Sequence, residues 1–418
     1  MQYGLIGEKL GHSFSKEIHE QLADYQYELC PLKREEFPAF MEQADFRAVN
    51  VTIPYKEAVI PYLAEIDSRA QAIGAVNTVI NRGGRLYGYN TDFDGFSYLL
   101  RRHGISLKDK SVLILGNGGT SKTVTAVAKA QGAAEVIISG RQAAKGIITY
   151  AEAQQQTRAE VIINTTPCGM FPANDDKPLV NLSLYPKLCA VADVVYNPLK
   201  TNLVLAAEAL GLPACGGLEM LVAQAKYAAE YFTDTQIPDA EIGRIYQGIL
   251  LQKQNIALIG MPGSGKTTVG RLLAKRLNMP LADCDAEAEK RAGKRIKDIF
   301  AQDGEAAFRR LETSVLRDFA HRGGQIIATG GGAILNPENV QALRQNSVII
   351  FLDKKPEELA VNDSRPLSPD ADANMQLYQQ RLPKYLAAAD IMLANNGTAA
   401  EAAEKIYCHF GYNNFFNK

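Results

Sequence analysis

The chain has 418 residues, of which 46% are hydrophobic and 22% charged, so it is long enough for two or three globular domains. Its 45 Lys and Arg residues nearly balance its 46 Asp and Glu residues, which excludes a general attraction for nucleic acid or an anionic membrane. No apolar run approaches the roughly 18–20 residues that span a bilayer, the N-terminus lacks a signal-peptide pattern, and the six cysteines show no metal-ligand spacing. We therefore expect a cytoplasmic protein with reduced, mostly packed thiols and no nucleic-acid or membrane partner.

Short apolar runs alternate with helical patterns along almost the whole chain, which predicts an α/β fold with parallel sheets covered by helices. The strand-like runs lie at residues 3–7, 49–53, 111–115, 135–139, 160–164, 188–195, 255–260, 325–329 and 347–352. Polar stretches at 101–110 and 252–254 predict domain boundaries, which divide the chain into segments 1–101, 102–252 and 253–418. We expect the last helices before residue 252 to pack back on the first segment.

Three clusters of polar residues follow strand-like runs in the first segment. The stretch GHSFSKEIH contains Ser13 and Ser15, NVTIPYKEA contains Asn50, Thr52 and Lys56, and GAVNTV with GYNTDFDGF contains Asn77 and Asp92. A single surface lysine or aspartate is usually only a solvated charge. Taken together, however, hydroxyls, amides and an ammonium can bind a carboxylate and hydroxyl groups.

A glycine-rich turn, GNGG at Gly116–Gly119, follows the strand-like run SVLIL and precedes a helical pattern. This order is typical of a dinucleotide-binding fold, although Ser121 takes the place of the third glycine, and a plain turn is an equal alternative from this loop alone. Folds that bind NAD place a carboxylate about 20 residues further on, to contact the ribose 2′-hydroxyl. This chain has Arg141 and Lys145 there, and two cations favour a 2′-phosphate and hence NADP.

Together these motifs resemble the shikimate dehydrogenase family, which is marked by HSxSxxxH, NVTxPxK, GAxNT and NTDxxG. Further matches are NTTPCGM at 164–170, VVYNPLKTNL at 194–203 and GLEMLVAQA at 217–225, so the resemblance covers about residues 1–250. It implies an α/β substrate domain, a Rossmann-like NADP domain and the reduction of 3-dehydroshikimate to shikimate. It also implies that Lys56 and Asp92 are the catalytic pair.

The same resemblance assigns binding residues. The substrate would contact Ser13, Ser15, Asn50, Thr52, Asn77, Asp92, Tyr196 and Gln224, and NADP would contact Gly116, Asn117, Gly118, Gly119, Arg141 and Lys145. Two features depart from the family. The stretch from Arg141 to Asn164 is short, which predicts that part of a helix-and-strand crossover is trimmed beside the adenosine half of NADP. In addition, GRQ replaces an Asn-Arg-Thr turn, so we expect NADP to bind with altered affinity. The relative rates on shikimate and quinate stay open.

A second phosphate-binding pattern, GMPGSGKT at Gly260–Thr267, follows the run NIALIG and satisfies GxxxxGK[ST] in full. Its glycines let backbone N–H groups wrap around phosphates, Lys266 can reach the terminal phosphates, and the Thr267 hydroxyl can bind Mg²⁺. The pattern predicts a nucleoside triphosphate site but does not identify the group that receives the phosphate.

The residues that follow this loop are more specific. They read DCD with Asp283 and Asp285, DGEAAFRRLE with Arg309, GGG at 330–332, SRPL with Arg365 and QQRLPKY with Arg381. The set resembles the shikimate kinase family over 255–411 and implies a P-loop domain with a parallel sheet. ATP would contact Gly260, Gly263, Ser264, Gly265, Lys266, Thr267, Thr268 and Arg365, while shikimate would contact Asp285, Arg309, Gly331, Gly332 and Arg381.

In that family Mg²⁺ would be held by Thr267 and, through water, by Asp283. Phosphoryl transfer would depend on Lys266, Arg365 and Asp285, with Asp285 positioning the attacking hydroxyl. The lid after Arg365 lacks the second leucine of the family, which leaves its length and packing open.

The two resemblances predict a bifunctional enzyme of aromatic amino-acid biosynthesis, either a monomer or a homodimer. Its partners would be small molecules: 3-dehydroshikimate, shikimate, NADP(H) and Mg²⁺-ATP. The alternative is a metabolite-sensing regulator that kept both folds and lost the chemistry. That alternative requires broken catalytic positions, whereas Lys56, Asp92, Lys266, Asp283, Asp285, Arg309 and Arg381 are all present.

Overall fold

The computed structural model describes residues 1–11, 13–359 and 371–410. The chain forms two compact units, Met1–Gln247 and Gly248–Lys418, each with α/β architecture. The division between them falls five residues before the predicted boundary at 252/253. Segments 1–101 and 102–247 belong to one unit, although each builds a sheet of its own.

The first sheet lies in order β2-β1-β3-β5-β6-β4 and consists of β1 Tyr3–Gly7, β2 Tyr27–Pro31, β3 Ala48–Val51, β4 Glu65–Ile66, β5 Thr78–Arg82 and β6 Arg85–Tyr89. Strand β1 is parallel to β2 and β3, but β5 is antiparallel to both of its neighbours. Gly83 and Gly84 have φ of 63° and 89° and close a two-residue hairpin between β5 and β6. Parallel pairing, which the strand and helix alternation predicts, therefore does not extend through this sheet.

Four helices belong to this first part of the chain: α1 Ser15–Leu22, α2 Phe37–Gln43, α3 Ser68–Ile73 and α4 Asp92–Arg102. Phe37 of α2 and Ala70 of α3 pack with Val49 and Val79 in one apolar cluster. Helix α3 begins where the Asp67 carboxylate accepts two backbone N–H groups, a typical N-cap. These helices cover the sheet. The chain leaves β3 toward Lys56 and leaves β6 toward Asp92.

The second sheet is parallel throughout and lies in order β12-β11-β10-β7-β8-β9. Its strands are β7 Ser111–Leu115, β8 Glu135–Gly140, β9 Ile147–Thr149, β10 Val161–Asn164, β11 Ala190–Asp193 and β12 Ala214–Cys215, and its helices are α5 Gly119–Ala130, α6 Tyr150–Ala153 and α7 Asn202–Ala209. In chain order this is the 3-2-1-4-5-6 arrangement of dinucleotide-binding folds. The predicted Rossmann-like fold is therefore confirmed.

In the short stretch after Arg141 no helix lies between β8 and β9, and the sheet is six strands wide. Strands β8 and β9 pair in parallel although only residues 141–146 separate them. The two strands pair over only three residues, from Ile138 with Ile147 to Gly140 with Thr149, so the chain has to go back only this short distance between them. A bridge between Ala144 and Ile147 closes the connecting turn. A crossover with a helix needs about a dozen residues, so none forms between these two strands.

Two further helices complete this part: α8 Leu218–Thr233 and α9 Ala240–Lys253, within which the two units divide. Helix α8 contacts both sheets of unit 1, since Ala228 and Phe232 pack with Leu5 of the first sheet and Met220 packs with the second. Where α4 crosses α8, a Cβ on Gly95 would lie 2.9 Å from the Met220 carbonyl oxygen. This close crossing places the start of α4 beside the middle of α8.

Unit 2 contains a parallel third sheet in order β14-β15-β13-β16-β17, formed by β13 Asn255–Ile259, β14 Leu281–Asp283, β15 Ile326–Ala328, β16 Ser347–Asp353 and β17 Ile391–Ala394. Its helices are α10 Lys266–Leu277, α11 Cys284–Ala292, α12 Ile296–Asp303, α13 Glu305–Ala320, α14 Pro337–Asn346, α15 Ala371–Ala388 and α16 Ala399–His409. Because β13 is the central strand, the phosphate-binding loop that follows it lies at the middle of the sheet edge. No helix in the described part of the chain has both the length and the apolar character needed to cross a membrane.

Candidate active sites

Lys56 and Asp92 form a short ion pair, with 2.6 Å between Nζ and Oδ2. Their side chains are only 13% and 8% exposed, so water screens the pair weakly. Lys56 follows β3, and Asp92 is the first residue of α4, where the helix dipole favours a carboxylate. The structure thus brings together two residues that are 36 positions apart in the chain.

Asn50 lies on β3, shortly before Lys56 in the chain, and its side-chain amide is held by three neighbouring residues. Its Oδ1 accepts a 2.7 Å hydrogen bond from the Tyr27 hydroxyl, and its Nδ2 donates to the Thr78 hydroxyl at 3.2 Å and to the Asn77 carbonyl at 3.3 Å. Tyr27 is completely buried. Sequence reasoning missed Tyr27 because it stands on β2, outside every motif, and nothing local marks it.

The Asn77 side chain belongs to the same buried network, to which the Thr78 hydroxyl links it. Its Oδ1 accepts from the Thr91 backbone N–H at 2.8 Å, and its Nδ2 donates to the Thr91 hydroxyl at 3.0 Å and to Gln224 Oε1 at 3.5 Å. Gln224 stands on α8, 147 residues further along the chain. Thr91 was also missed, although its position inside the NTDxxG motif is a signal that could have identified it.

The remaining predicted substrate residues lie on two segments. The Ser13 hydroxyl donates to the Ser15 hydroxyl at 3.0 Å, and the ring of Phe14 between them is 5.4 Å from the ring of Tyr196. Burial raises the pKa of Tyr196. Thr52 packs its methyl group against Gly7, where a Cβ would be only 2.5 Å away. Phe14 therefore connects the Ser13–Ser15 loop to Tyr196, while Thr52 lies just after β3.

The glycine-rich turn between β7 and α5 has the geometry of an anion site. Gly116 has φ of 113°, and a Cβ there would come within 2.5 Å of the Thr165 hydroxyl. Gly118 is the N-cap of α5, no side chain caps that helix, and there is open space around its α-carbon. Asn117 lies against Gly140, and Gly119 lies against the side chain of Lys56. The uncapped first turn of α5 thus faces the side chain of Lys56.

Arg141 and Lys145 are exposed on the short return between β8 and β9. Neither makes an ion pair with another residue that the structure describes. Lys145 precedes Gly146, which has φ of 75°. Both cations lie just past the carboxyl end of β8, where a dinucleotide-binding fold contacts the adenosine ribose.

In unit 2 the loop after β13 wraps around the Lys266 ammonium. Gly260, Gly263 and Gly265 have φ of 150°, 83° and 92°, and Lys266 Nζ donates to the Gly260 and Met261 carbonyls at 2.8 and 2.9 Å. Helix α10 begins at Lys266 without a side-chain cap. Ser264 Oγ is buried and has no hydrogen-bond partner among the described residues. Thr268 is exposed on the first turn of α10.

The predicted metal residues contact each other directly. The Thr267 hydroxyl donates to Asp283 Oδ2 at 2.7 Å, and Asp283 Oδ1 accepts from the Ala286 backbone N–H as the N-cap of α11. Asp285, two residues on, reaches solvent, but the protein atoms around its carboxyl raise its pKa, and the nearby Lys266 ammonium opposes that shift. Asp285 also borders the glycine turn, because a Cβ on Gly330 would be 2.9 Å from Asp285 Oδ1.

Arg309 lies across Gly332, where a Cβ would clash with its guanidinium. Its Nη1 donates to Glu312 Oε2 at 2.8 Å. Glu312 is only 2% exposed, and burial raises its pKa while Arg309 opposes this. Glu312 was missed, although its spacing of three residues from Arg309 on one helix predicts an interaction.

Arg381 and Tyr385 of α15 reach the same turn from the other direction. Arg381 Nη1 donates to the Gly331 carbonyl at 3.0 Å, and the Tyr385 hydroxyl donates to the same oxygen at 2.5 Å. Arg381 is only 4% exposed. The structure therefore brings Asp285, Arg309 and Arg381 to one glycine turn. Arg365 lies outside the described residues.

Comparison with known proteins gives separate matches for the two units. Residues 262–409 match the family model of shikimate kinase, and residues 5–79 match that of the shikimate dehydrogenase substrate binding domain. The chain is similar to the shikimate dehydrogenase (NADP(+)) of Clostridium beijerinckii, with 37% identity over 252 residues that make up 56% of this chain and 93% of the relative. The enzyme of the same name from Halothermothrix orenii is 39% identical over 55% of this chain and 90% of its own.

Solved structures agree. Shikimate dehydrogenase 1 from Peptoclostridium difficile is similar with a TM-score of 0.55 and 32% identity, covering 60% of this chain and 98% of that protein. The shikimate 5-dehydrogenase from Thermus thermophilus in complex with NADP(H) and shikimate has a TM-score of 0.54 and 29% identity, covering 59% of this chain and 99% of its own.

These matches agree with the predicted cofactors, NADP for the first unit and Mg²⁺-ATP for the second. The first part of this chain covers almost the whole length of the matched relatives, and the kinase family model covers most of the second part. The chain therefore belongs to the shikimate dehydrogenase family in its first part and carries a shikimate kinase domain in its second, which makes it a bifunctional enzyme of the shikimate pathway.

Proposed function

We propose that the first unit reduces 3-dehydroshikimate to shikimate with NADPH and that the second phosphorylates the 3-hydroxyl of shikimate with ATP. The observation that carries the first half is the Lys56–Asp92 pair at 2.6 Å, in the same part of the chain as the buried amides of Asn50 and Asn77. The observation that carries the second is the meeting of Asp285, Arg309 and Arg381 at one glycine turn beside a phosphate-binding loop.

Reduction of a ketone places negative charge on its oxygen, so a cation that can also donate a proton is needed there. Lys56 meets both needs: its ammonium stabilises the charge, and one of its protons moves from Nζ to the oxygen. The Asp92 carboxylate orients that ammonium. Asn50, Asn77 and Gln224 are held by buried hydrogen bonds, so their side chains would meet the hydroxyl groups of the substrate in a fixed orientation.

The residues around α5 fit a dinucleotide. The first turn of this helix has backbone N–H groups and no side-chain cap, which suits a pyrophosphate, and the open space at Gly118 allows a close approach. Arg141 and Lys145 would hold the 2′-phosphate, and the name NADP(+) carried by the relatives supports this choice. When bound, NADPH supplies the hydride.

The second site fits Mg²⁺-ATP and an acidic acceptor. The loop Gly260–Thr267 would hold the phosphates. The buried Ser264 hydroxyl and the Lys266 ammonium support this assignment, because each can donate a hydrogen bond to a phosphate oxygen. Thr267 and Asp283 would hold the metal, which supplies charge neutralisation. Arg309 and Arg381 would bind the carboxylate of shikimate with their planar guanidinium groups. The raised pKa of Asp285 makes it a better proton acceptor for the 3-hydroxyl.

One reaction mixture tests both halves. Enzyme, 3-dehydroshikimate and NADPH should consume NADPH, and ADP should appear once ATP and Mg²⁺ are added. Lys56→Ala should stop only the first step, and Lys266→Ala only the second, because each residue belongs to a different unit. Each variant is the control for the other. A wild-type enzyme that consumes no NADPH, or forms no ADP from shikimate, contradicts the corresponding half of the proposal.

A further inference from the structure

Three contacts join the first sheet and its loops to the first turns of α5. The Lys56 side chain packs on Gly119, where a Cβ would lie 3.7 Å from Lys56 Cβ and Cδ. Glu57, the next residue, pairs with Lys122 at 2.7 Å between Oε2 and Nζ. Deeper in, Asn90 Nδ2 donates to the Thr123 hydroxyl at 3.3 Å.

The order of these contacts along the two segments is informative. Lys56 and Glu57 are consecutive, and Lys122 follows Gly119 by three residues, which is close to one helical turn. Two consecutive residues of one loop therefore contact the same turn of α5. That turn is the uncapped end of α5 proposed to hold the pyrophosphate. A shift of α5 toward the loop would therefore displace the Lys56 side chain beside it.

We infer that the Glu57–Lys122 ion pair is a latch that fixes Lys56 against the cofactor helix, which makes Glu57 and Lys122 positioning residues for the dehydrogenase reaction. The inference rests on the proposed role of Lys56 as proton donor. The two side chains are 53% and 41% exposed, so the pair contributes little to folding stability. Its value lies in geometry, since proton transfer depends steeply on the placement of the donor.

The test uses the full-length enzyme with Glu57→Gln, with Lys122→Gln, and with the charge swap Glu57→Lys plus Lys122→Glu. Each single variant should lower the kcat of the dehydrogenase step about threefold to fivefold, while the KM for NADP⁺ changes less than twofold. The swap should regain most of the lost kcat, because it restores an ion pair of the same length. High salt should lower the dehydrogenase kcat of the wild-type enzyme toward that of the single variants, because it screens the ion pair.

A matched control is Lys200→Gln, which breaks the Lys200–Glu208 pair at 2.8 Å. That pair has similar exposure, 47% and 39%, but Lys200 lies between β11 and α7 and Glu208 lies on α7, so the pair does not join Lys56 to α5 and kcat should stay at the wild-type value. The kinase rate of every variant is a further internal control, and thermal unfolding should be unchanged.

Two outcomes overturn the latch. One is a dehydrogenase kcat that stays at the wild-type value in both single variants. The other is a Lys122→Gln variant with a raised KM for NADP⁺, a silent Glu57→Gln variant and no rescue by the swap, which would mean that Lys122 serves the cofactor directly. Failure of the proposed function is distinguishable, because it would appear as a wild-type enzyme that consumes no NADPH, whereas an active Lys56→Ala enzyme would refute only the role of Lys56.

Discussion

Asn395 supports the phosphate-binding loop of the kinase unit from outside it. Its side chain is only 5% exposed, and its Nδ2 donates to the Ser264 carbonyl at 2.6 Å. Its backbone N–H donates to the Asp353 carbonyl at the end of β16, also at 2.6 Å. The next residue, Asn396, is exposed. One buried amide thus ties the ends of two strands to the loop.

Replacing Asn395 with alanine should weaken ATP binding. The loss of one buried hydrogen bond costs about 1–1.5 kcal/mol, which corresponds to a KM for ATP raised roughly fivefold to tenfold, with the KM for shikimate nearly unchanged. Steady-state kinetics of the kinase step measures both constants. Asn396→Ala is the matched control and should behave as the wild type. Equal effects of the two substitutions would argue against a specific role of Asn395.

Asp193 is a buried carboxyl group in the dehydrogenase unit. It accepts hydrogen bonds from the Thr201 hydroxyl at 2.7 Å, the Asn164 amide at 2.9 Å and the Val195 backbone N–H at 3.0 Å. Burial nevertheless raises the pKa of Asp193 to about 6. The folded state therefore binds this proton more tightly than the unfolded state does.

This shift predicts how stability changes with pH. The contribution of Asp193 is greatest below about pH 4 and is lost as the pH rises through about 6. Compared with Asp193→Asn, the wild type should lose roughly 2 kcal/mol of unfolding free energy between pH 4 and pH 7. Urea unfolding of both proteins at several pH values measures this difference, in which the other titrating groups cancel. Parallel pH profiles would show that the pKa of Asp193 is not raised.

At the scale of elements, the crossing of α4 and α8 decides whether the dehydrogenase site forms. Asp92 starts α4, and Gln224 lies on α8 within hydrogen-bond reach of Asn77. Gly95, one turn after Asp92, allows the helices to approach: a Cβ there would lie 2.8 Å from Gln224 Cβ and 2.9 Å from the Met220 carbonyl oxygen. Because the second contact is with backbone, no side-chain movement can relieve it.

The substitution Gly95→Ala should therefore push the helices apart. We expect a loss of about 1–3 kcal/mol in the stability of the dehydrogenase unit and a raised KM for shikimate, because Gln224 moves away from Asn77. Denaturant unfolding and dehydrogenase kinetics measure the two effects, and kinase activity should not change. Gly243→Ala in α9 is the control, since nothing lies within 4 Å of a Cβ there and alanine favours helices. Indistinguishable behaviour of the two variants would refute the close-crossing argument.

At the scale of the whole molecule, unit 1 has two sheets and unit 2 has one, and each unit has its own apolar clusters. Phe351 and Tyr385 lie in a cluster of unit 2, whereas Phe96 and Val161 lie in one of unit 1. A cluster of buried residues within each unit allows each to unfold cooperatively.

Ligands should therefore stabilise the units selectively. Calorimetry should resolve two transitions, of which NADP⁺ with shikimate raises one and Mg²⁺-ATP raises the other. At ligand concentrations a hundredfold above Kd, each gain should be about 2.7 kcal/mol. The Lys266→Ala variant is the control: it should lose the effect of ATP and keep that of NADP⁺. A single transition that both ligands raise in the Lys266→Ala variant would contradict this assignment.

The sequence by itself determined the features that depend on local backbone. Gly116 and Gly260 could be placed in phosphate-binding turns because their positive φ is a local requirement that few other residues meet. The strand-like runs could be located because alternation of apolar and polar residues and continuous apolar runs are also local properties. The shortening after Arg141 was also visible, as a matter of chain length alone.

Only the tertiary structure decided which distant residues meet. It placed Lys56 at 2.6 Å from Asp92, and it showed that residues 141–146 form no helix and that strand β9 pairs directly with β8. Tyr27 and Asn395 escaped prediction because each acts on a residue 23 or 131 positions away, and no local pattern encodes such a contact. Side-chain partners of this kind are set by how sheets and helices pack, which is a property of the folded chain.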